Sequence, residues 1–448
     1  MKTCLRLFIT LAALCGAAGR LAAAPAAVPA KPNVIFILAD DLGIGDVSCY
    51  GSDHRRSPVV DRLAATGTRF TQNFTASLCG PSRALIMTGR YAFRNGSSNQ
   101  DACMRLPNPE LQLARVFKSA GYATASIGKW GQLPGEPDEV GFDDYLRFNG
   151  SGVYWNRHDK KSEEYRLNGK QVGLGDKEYL PDIMQRHAFE FIRKNREQPF
   201  FLYYPMVHVH GEIQPTPDSA DGSKDLYGDN VLYMDKLVGG LLAELDALKL
   251  RENTLIIFMG DNGTAGGANA ESTIGGRALS GKKGTMLECG GLVPMIANWP
   301  GRVPAGRVSA DLIDSTDFIP TFAELIGVPL PQGVRFDGRS ILPLLFGKGP
   351  SSRQWIYNQL AAMWYVRDAG WKLNEKGELF DMSEAPFAEK LVPADSTAEA
   401  AVAARARLGA VLTELNPAGG VPDAGDGTGR HANKAKKKAA KAKKTNAE

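Results

Sequence analysis

The chain has 448 residues, 43% of them hydrophobic, and a net charge of +4. That length buries one large core, or a core with a smaller companion, and four cysteines beyond the leader are too few for a disulfide-stapled scaffold. The positive charge sits at the ends: Lys2, Arg6 and Arg20 at the start, and Arg430 with seven lysines after Asn416, so the middle of the chain is net acidic.

Residues 1–24 have a basic start, an apolar run from Leu7 to Ala18 and small residues at Ala22–Ala24, which is the pattern of a secretory signal peptide. Leu14 is bulky immediately before Cys15, which argues against a lipid anchor there. No later apolar run is long enough for a transmembrane segment, so an exported protein is expected, periplasmic or secreted. No nucleic-acid partner is expected. If Cys79 is chemically special, at most one disulfide remains, with Cys49 and Cys103 as the candidate pair.

Strand and helix patterns then alternate. NVIFILAD (33–40) is a continuous apolar run ending in acids, as in a parallel strand buried on both faces. A helix closed by glycine follows over 61–67, and LQLARVFKSAGY reads as an amphipathic helix stopped at Gly121 before the strand ATASIG. VYWN and YRLNGKQV carry hairpin signals, Asn168-Gly169 the strongest. Next come a helix near 181–195, the strand PFFLYYPMV, a long helix near 229–249, the strand TLIIFMGDNG, the buried strand VPMIANWP and the helix STDFIPTFAELIG.

This alternation predicts an α/β catalytic domain over 25–347 with a mostly parallel central sheet flanked by helices. Short antiparallel strands and one helix near 396–415 predict a small C-terminal subdomain over 348–416. Residues 417–448 contain a Lys-rich stretch with no large apolar residue, and are expected to be a disordered tail that is either simply solvated or holds a polyanion.

Sites in open parallel sheets gather at strand carboxyl ends. Two ends carry oxygen donors: Asp40 and Asp41 after the first strand, Asp261 and Asn262 after TLIIFMG. Each pair alone reads as turn chemistry; together they favour a hard cation, Ca²⁺ or Mg²⁺, over zinc. In CGPSRALIMTGR, Pro81 places Cys79 at or just before a helix N-terminus, where an anion is favoured, with Arg83 one turn in.

That stretch resembles the signature of type I sulfatases, formylglycine-dependent members of the alkaline phosphatase superfamily. DDLGIGD, GKW, GDNGT and KKGTMLECGGLVP follow in the family's order, so the resemblance covers roughly residues 32–390. It implies an alkaline-phosphatase-like fold and hydrolysis of sulfate monoesters, on a sulfated small molecule or polysaccharide. It also implies one Ca²⁺ held by Asp40, Asp41, Asp261, Asn262 and residue 79, and a maturation enzyme that converts Cys79 to formylglycine (3-oxoalanine). Arg83 is then expected to hold the formylglycine diol, Lys129 and Lys283 the sulfate oxygens, and His210 to protonate the leaving alcohol, with His208 as competitor.

Two positions depart from the family pattern. Gly131 and Gln132 follow Trp130 where many members carry histidine, leaving hydrogen bonding by Gln132 as the substitute. Leu292 stands where arginine is usual in the E-G-G-x-R-V-P pattern. Tyr154, Trp155, Arg157 and His158 are expected at the pocket mouth. The rival functions are a phosphonate or phosphodiester hydrolase of the same superfamily and a non-catalytic sulfated-glycan-binding protein.

Overall fold

The computed structural model describes residues 31–268 and 271–430; the expected signal peptide and everything after Arg430 lie outside the described residues. The central sheet has ten strands: β1 (Asn33–Ala39), β2 (Thr68–Phe70), β3 (Ala123–Lys129), β4 (Asp144–Phe148), β5 (Glu164–Leu167), β6 (Lys170–Gly173), β7 (Phe200–Pro205), β8 (Thr254–Gly260), β9 (Met295–Asn298) and β10 (Arg307–Ser309). Their spatial order is β10-β2-β9-β8-β1-β7-β3-β4-β5-β6. The run β8-β1-β7-β3-β4 is parallel throughout. VPMIANWP supplies β9, which is antiparallel to both β8 and β2. The Asn168-Gly169 hairpin forms β5 and β6 at the far edge.

The apolar run of β1 explains its central place. Val34, Phe36 and Leu38 enter one core and Ile35, Ile37 and Ala39 the other, following the two-residue period of a strand. Helices α2 (Cys79–Thr88), α3 (Leu113–Ser119) and α6 (Phe318–Ile326) cover the first face. Helices α1 (Pro58–Ala65), α4 (Leu180–Lys194) and α5 (Leu226–Ala247) cover the second. This is the α/β domain with a mostly parallel, helix-flanked sheet expected from the alternating pattern, and it agrees with the alkaline-phosphatase-like sandwich that the resemblance implies.

A separate antiparallel sheet of five strands runs from Ile356 to Val392, and α7 (Glu399–Leu415) packs Ala401, Ala404 and Leu408 against its Val366, Leu373 and Leu379. No helix among the described residues is long and apolar enough to cross a membrane.

Three expectations need correction. Residues 153–156 (VYWN) form no strand, because Tyr154 turns inward and is fully buried against Tyr179 and His208. Cys49 and Cys103 are not bridged; all four described cysteines are free, and the Cys103 thiol is buried and donates to the Ser97 carbonyl at 3.5 Å. Disorder from residue 417 onward does not hold for 417–430. Val421 donates its N–H to the Phe93 carbonyl (2.7 Å), Ser98 and Asn99 donate to Asp423 (2.6 Å each), and Gln100 donates its N–H to the Gly429 carbonyl (2.9 Å). The segment docks through hydrogen bonds, which a search for core residues does not detect.

The two sheets are joined by a buried ion pair. Glu288, the first residue of a one-turn helix (Glu288–Gly291) before β9, is fully buried, and its carboxylate faces Arg367 of the small sheet at 3.1 Å, with that guanidinium over the Phe74 ring at 4.9 Å. Removing one partner strands the other charge in the interior. Arg367→Leu is therefore expected to lower unfolding free energy by about 3–5 kcal/mol, measured by denaturant titration.

Candidate active site

Four neighbouring parallel strands, β8-β1-β7-β3, deliver side chains from their carboxyl ends to one point. Asp261 and Asn262 follow β8, Asp40 and Asp41 follow β1, His208 and His210 follow β7, and Lys129 is the last residue of β3. Asp41 has a left-handed backbone (φ 61°), uncommon outside Gly, Asn and Asp, and its N–H is held by the Asp261 carboxylate at 3.0 Å. Across the gap, Cys79 is the first residue of α2 and is buried. The Gly80 N–H behind it is taken by the Gln100 Oε1 at 2.7 Å, a contact that nothing in the local sequence signals.

The Cys79 Sγ lies 3.3 Å from Asp40 Oδ1 and 3.6 Å from Asp41 Oδ1. Asp40, Asp41, Cys79 and His210 each offer an atom within a 4.8 Å cluster, so His210 stands among the candidate ligands as well. The Asn262 Nδ2 donates to Asp41 Oδ1 at 2.9 Å, while its Oδ1 is buried without a hydrogen-bond partner. A buried amide oxygen beside carboxylates suits a hard cation in need of oxygen donors.

The carboxylates also face cations supplied by the protein itself. Lys129 pairs with Asp40, Lys283 Nζ lies 2.6 Å from Asp41, and Arg83 reaches Asp261 through Nη2 (2.8 Å) and Nε (3.2 Å). Three acids thus meet three protein bases, in addition to the hard cation that the strand-end donors favour. Burial by itself would raise Asp40, but Lys129, His210, Arg83 and Lys283 hold it well below the carboxylate range. Burial and then Asp40 push the Cys79 thiol far up, so it is a thiol and not a thiolate at neutral pH.

The two histidines separate clearly. His208 is fully buried among Tyr154, Tyr179 and Tyr233, with Nε2 2.9 Å from the Tyr179 hydroxyl, and burial lowers its pKa to about 3. His210 is partly exposed, with Nε2 3.7 Å from Asp41 Oδ2 and Nδ1 against the Gly211 carbonyl. Burial lowers its pKa to about 4.

Of the residues expected at the mouth, Tyr154 instead lies beneath it and donates its hydroxyl to the His210 carbonyl at 2.9 Å. Trp155 donates to the Pro215 carbonyl at 2.7 Å and Arg157 pairs with Glu212 and Asp159. His158 is exposed, 3.8 Å from Asp176. Gln132 Nε2 donates to Ser151 Oγ at 2.9 Å, and its Oε1 is buried without a hydrogen-bond partner. Glycine at 131 is required here: a Cβ would stand 2.6 Å from the Gly150 carbonyl oxygen, so histidine cannot enter without moving that loop. Leu292 is buried in an apolar cluster with Phe74, Ile356 and Tyr365. A ring of support behind Asp41 was missed in the sequence: Asp46 accepts from Thr264 (2.6 Å) and Tyr227 (3.1 Å), and burial raises its pKa to about 6.

A family profile described as Sulfatase matches residues 32–328, and one described as N-sulphoglucosamine sulphohydrolase, C-terminal, matches 281–399. The chain is 34% identical to N-acetylgalactosamine-6-sulfatase of Canis lupus familiaris, covering 78% of this chain and 71% of that protein. It is 33% identical to arylsulfatase A of Homo sapiens, covering 75% and 72%. The solved structure of Ps i-CgsB in complex with k-i-k-neocarrahexaose superposes with a TM-score of 0.74 at 26% identity, over 89% of this chain and 96% of that one. With the profile spanning most of the catalytic body and relatives matched over more than two thirds of their length, the chain belongs to the sulfatase family and is a sulfuric ester hydrolase.

Proposed function

We propose that this protein removes sulfate from a sulfated carbohydrate, with residue 79 as the position of the nucleophile. The observation that carries this reading is the cluster itself: Cys79 Sγ within 3.3–3.6 Å of two buried aspartates, with Lys129, Lys283 and Arg83 packed around them. A thiol whose pKa is driven up by burial is a poor nucleophile, which favours a chemically converted side chain at that position. The carbohydrate class is supported by a relative named N-acetylgalactosamine-6-sulfatase and by a similar structure solved in complex with k-i-k-neocarrahexaose. Export to the periplasm or beyond follows from the leader sequence.

Asp40, Asp41, Asp261, Asn262 and residue 79 would hold a divalent cation, Ca²⁺ by its all-oxygen preference, and formylglycine at 79 would supply a hydrated aldehyde as nucleophile. Together the two supply charge neutralisation at the sulfuryl group and an acidified attacking hydroxyl.

The chain's own residues perform the remaining work. Lys129 and Lys283, fixed on opposite aspartates, present ammonium groups to the sulfuryl oxygens as charge shifts toward the leaving oxygen. Arg83 locks Asp261 and, through Nη1, the Lys129 carbonyl at 3.1 Å, so it orients the acid and the lysine together. With Nδ1–H donating to Gly211, His210 turns Nε2 toward the site, where it donates a proton to the leaving oxygen. Burial keeps its pKa low in the resting arrangement; an incoming sulfate anion raises it, so the proton is gained as substrate binds.

Peptide mass spectrometry of active protein made with a formylglycine-generating system is expected to show thiol-to-aldehyde conversion at residue 79; intact cysteine in fully active enzyme rejects the mechanism. Chelation is expected to lower both activity and melting temperature, since an ion bound only by the folded state stabilises it, and Asp261→Ala should abolish the metal content read by elemental analysis. His210→Ala is expected to slow sugar sulfates by roughly 10²–10⁴-fold while a nitrophenyl sulfate, whose leaving group needs little protonation, suffers far less. His208→Ala should show no such leaving-group dependence; equal ratios for both variants would misplace the acid.

A further inference from the structure

The rim of the site carries two cations that make no ion pair among the described residues. Lys161 packs its side chain along the 149–151 loop: its Cε lies 3.0 Å from where a Cβ on Gly150 would stand, and the Gly150 carbonyl lies against Gly131, two residues past Lys129. Its neighbour Arg157 is already matched by Glu212 and Asp159, whereas the Lys161 ammonium has no hydrogen bond or ion pair among the described residues. Burial, and after it the charge of Arg157, lower its pKa, while Glu212 and Asp159, engaged by Arg157, offset this only in part.

The second cation arrives from the other end of the chain. The docked segment 421–430 is tied to Ser98, Asn99 and Gln100, and Gln100 also caps the Gly80 N–H beside Cys79. Gly429 is buried, and a Cβ there would press on Leu360 and Leu78. Arg430 is thereby carried to the Lys283 side, its Nη2 3.4 Å from where a Cβ on Gly284 would stand. Arg430 is exposed, and no ion pair joins its guanidinium to another of the described residues. The seven lysines of residues 431–448 follow directly in the sequence.

We infer that Lys161 and Arg430 form a two-sided anion clamp at the mouth, so that the substrate bears further anionic groups flanking the scissile sulfate. The inference rests on the sulfatase reading of the same site and narrows its substrate class to a polyanionic saccharide. The flanking anion is a carboxylate or a second sulfate, since a half-buried ammonium and a free guanidinium pair with either.

The test uses the full exported chain, matured at residue 79, with Lys161→Gln, Arg430→Gln and Lys376→Gln, the last a lysine on a turn of the small sheet. Three sugars are compared: one monosulfated with neutral neighbours, one monosulfated and linked to a uronic acid, and one disulfated. The clamp predicts that kcat/KM for a doubly anionic sugar, relative to the neutral-neighbour sugar, falls roughly tenfold in Lys161→Gln and roughly threefold in Arg430→Gln, through KM. Lys376→Gln should leave that ratio alone, and whichever of the two doubly anionic sugars responds identifies the anion. Affinity for a sulfated oligosaccharide, measured on Cys79→Ala backgrounds, gives a second readout that needs no turnover. If no sugar is hydrolysed but this affinity still falls in both rim variants, the clamp stands and the hydrolytic reading fails. Ratios and affinities that match Lys376→Gln in both rim variants overturn the clamp. So does a loss caused by deleting residues 431–448 with no effect of Arg430→Gln.

Discussion

Three buried carboxylates facing three buried bases form the interaction on which the rest of the site depends. Asp40, Asp41 and Asp261 stand at the ends of two adjacent strands, and each has its own cation in Lys129, Lys283 and Arg83. Burying any one of these charges alone would cost several kcal/mol. Assembled as pairs, they also pin elements that are distant in sequence: Arg83 is on a helix, Lys129 on a strand end and Lys283 on a loop. Cys79 is held in place by the same pairs, because it opens the helix that carries Arg83.

Around that core lies a polar and aromatic frame. Tyr154 and Tyr179 pack against His208, whose carbonyl accepts the Asp40 N–H at 2.7 Å, while the Tyr154 hydroxyl holds the carbonyl of His210. One histidine is thus built into the floor and the other left at the surface of the site. Asp46, Thr264 and Tyr227 perform a similar service behind Asp41. Such a frame fixes side chains before substrate arrives, which is what electrostatic catalysis needs.

The two departures from the family pattern have local explanations. Gly131 is there because the 149–151 loop passes too close for a side chain, and Gln132 takes hold of that loop through Ser151. Leu292 packs in an apolar cluster, and the buried acid of the same stretch, Glu288, finds its arginine in the small sheet instead. The small sheet and the docked C-terminal segment are therefore tied to the catalytic loops by charge and hydrogen bonds as well as by apolar contact.

The sequence determined the strand–helix alternation, the central place of the first strand and the acids that converge at Cys79, because continuous apolar runs and acids at strand ends are local signals. It could not determine what compensates those acids. A lysine ending one strand and another in a loop more than 150 residues later become counter-ions only when the sheet order brings them together. The same limit hid Gln100 behind Gly80, turned Tyr154 from an expected mouth residue into a buried support, and left Cys49 and Cys103 unbridged. It also concealed the docking of 417–430, whose composition lacks large apolar groups and whose partners are polar atoms of Ser98, Asn99 and Gln100. Hydrophobic periodicity reports which face of an element is buried; which charges and hydrogen bonds meet across that burial is a property of the tertiary structure alone.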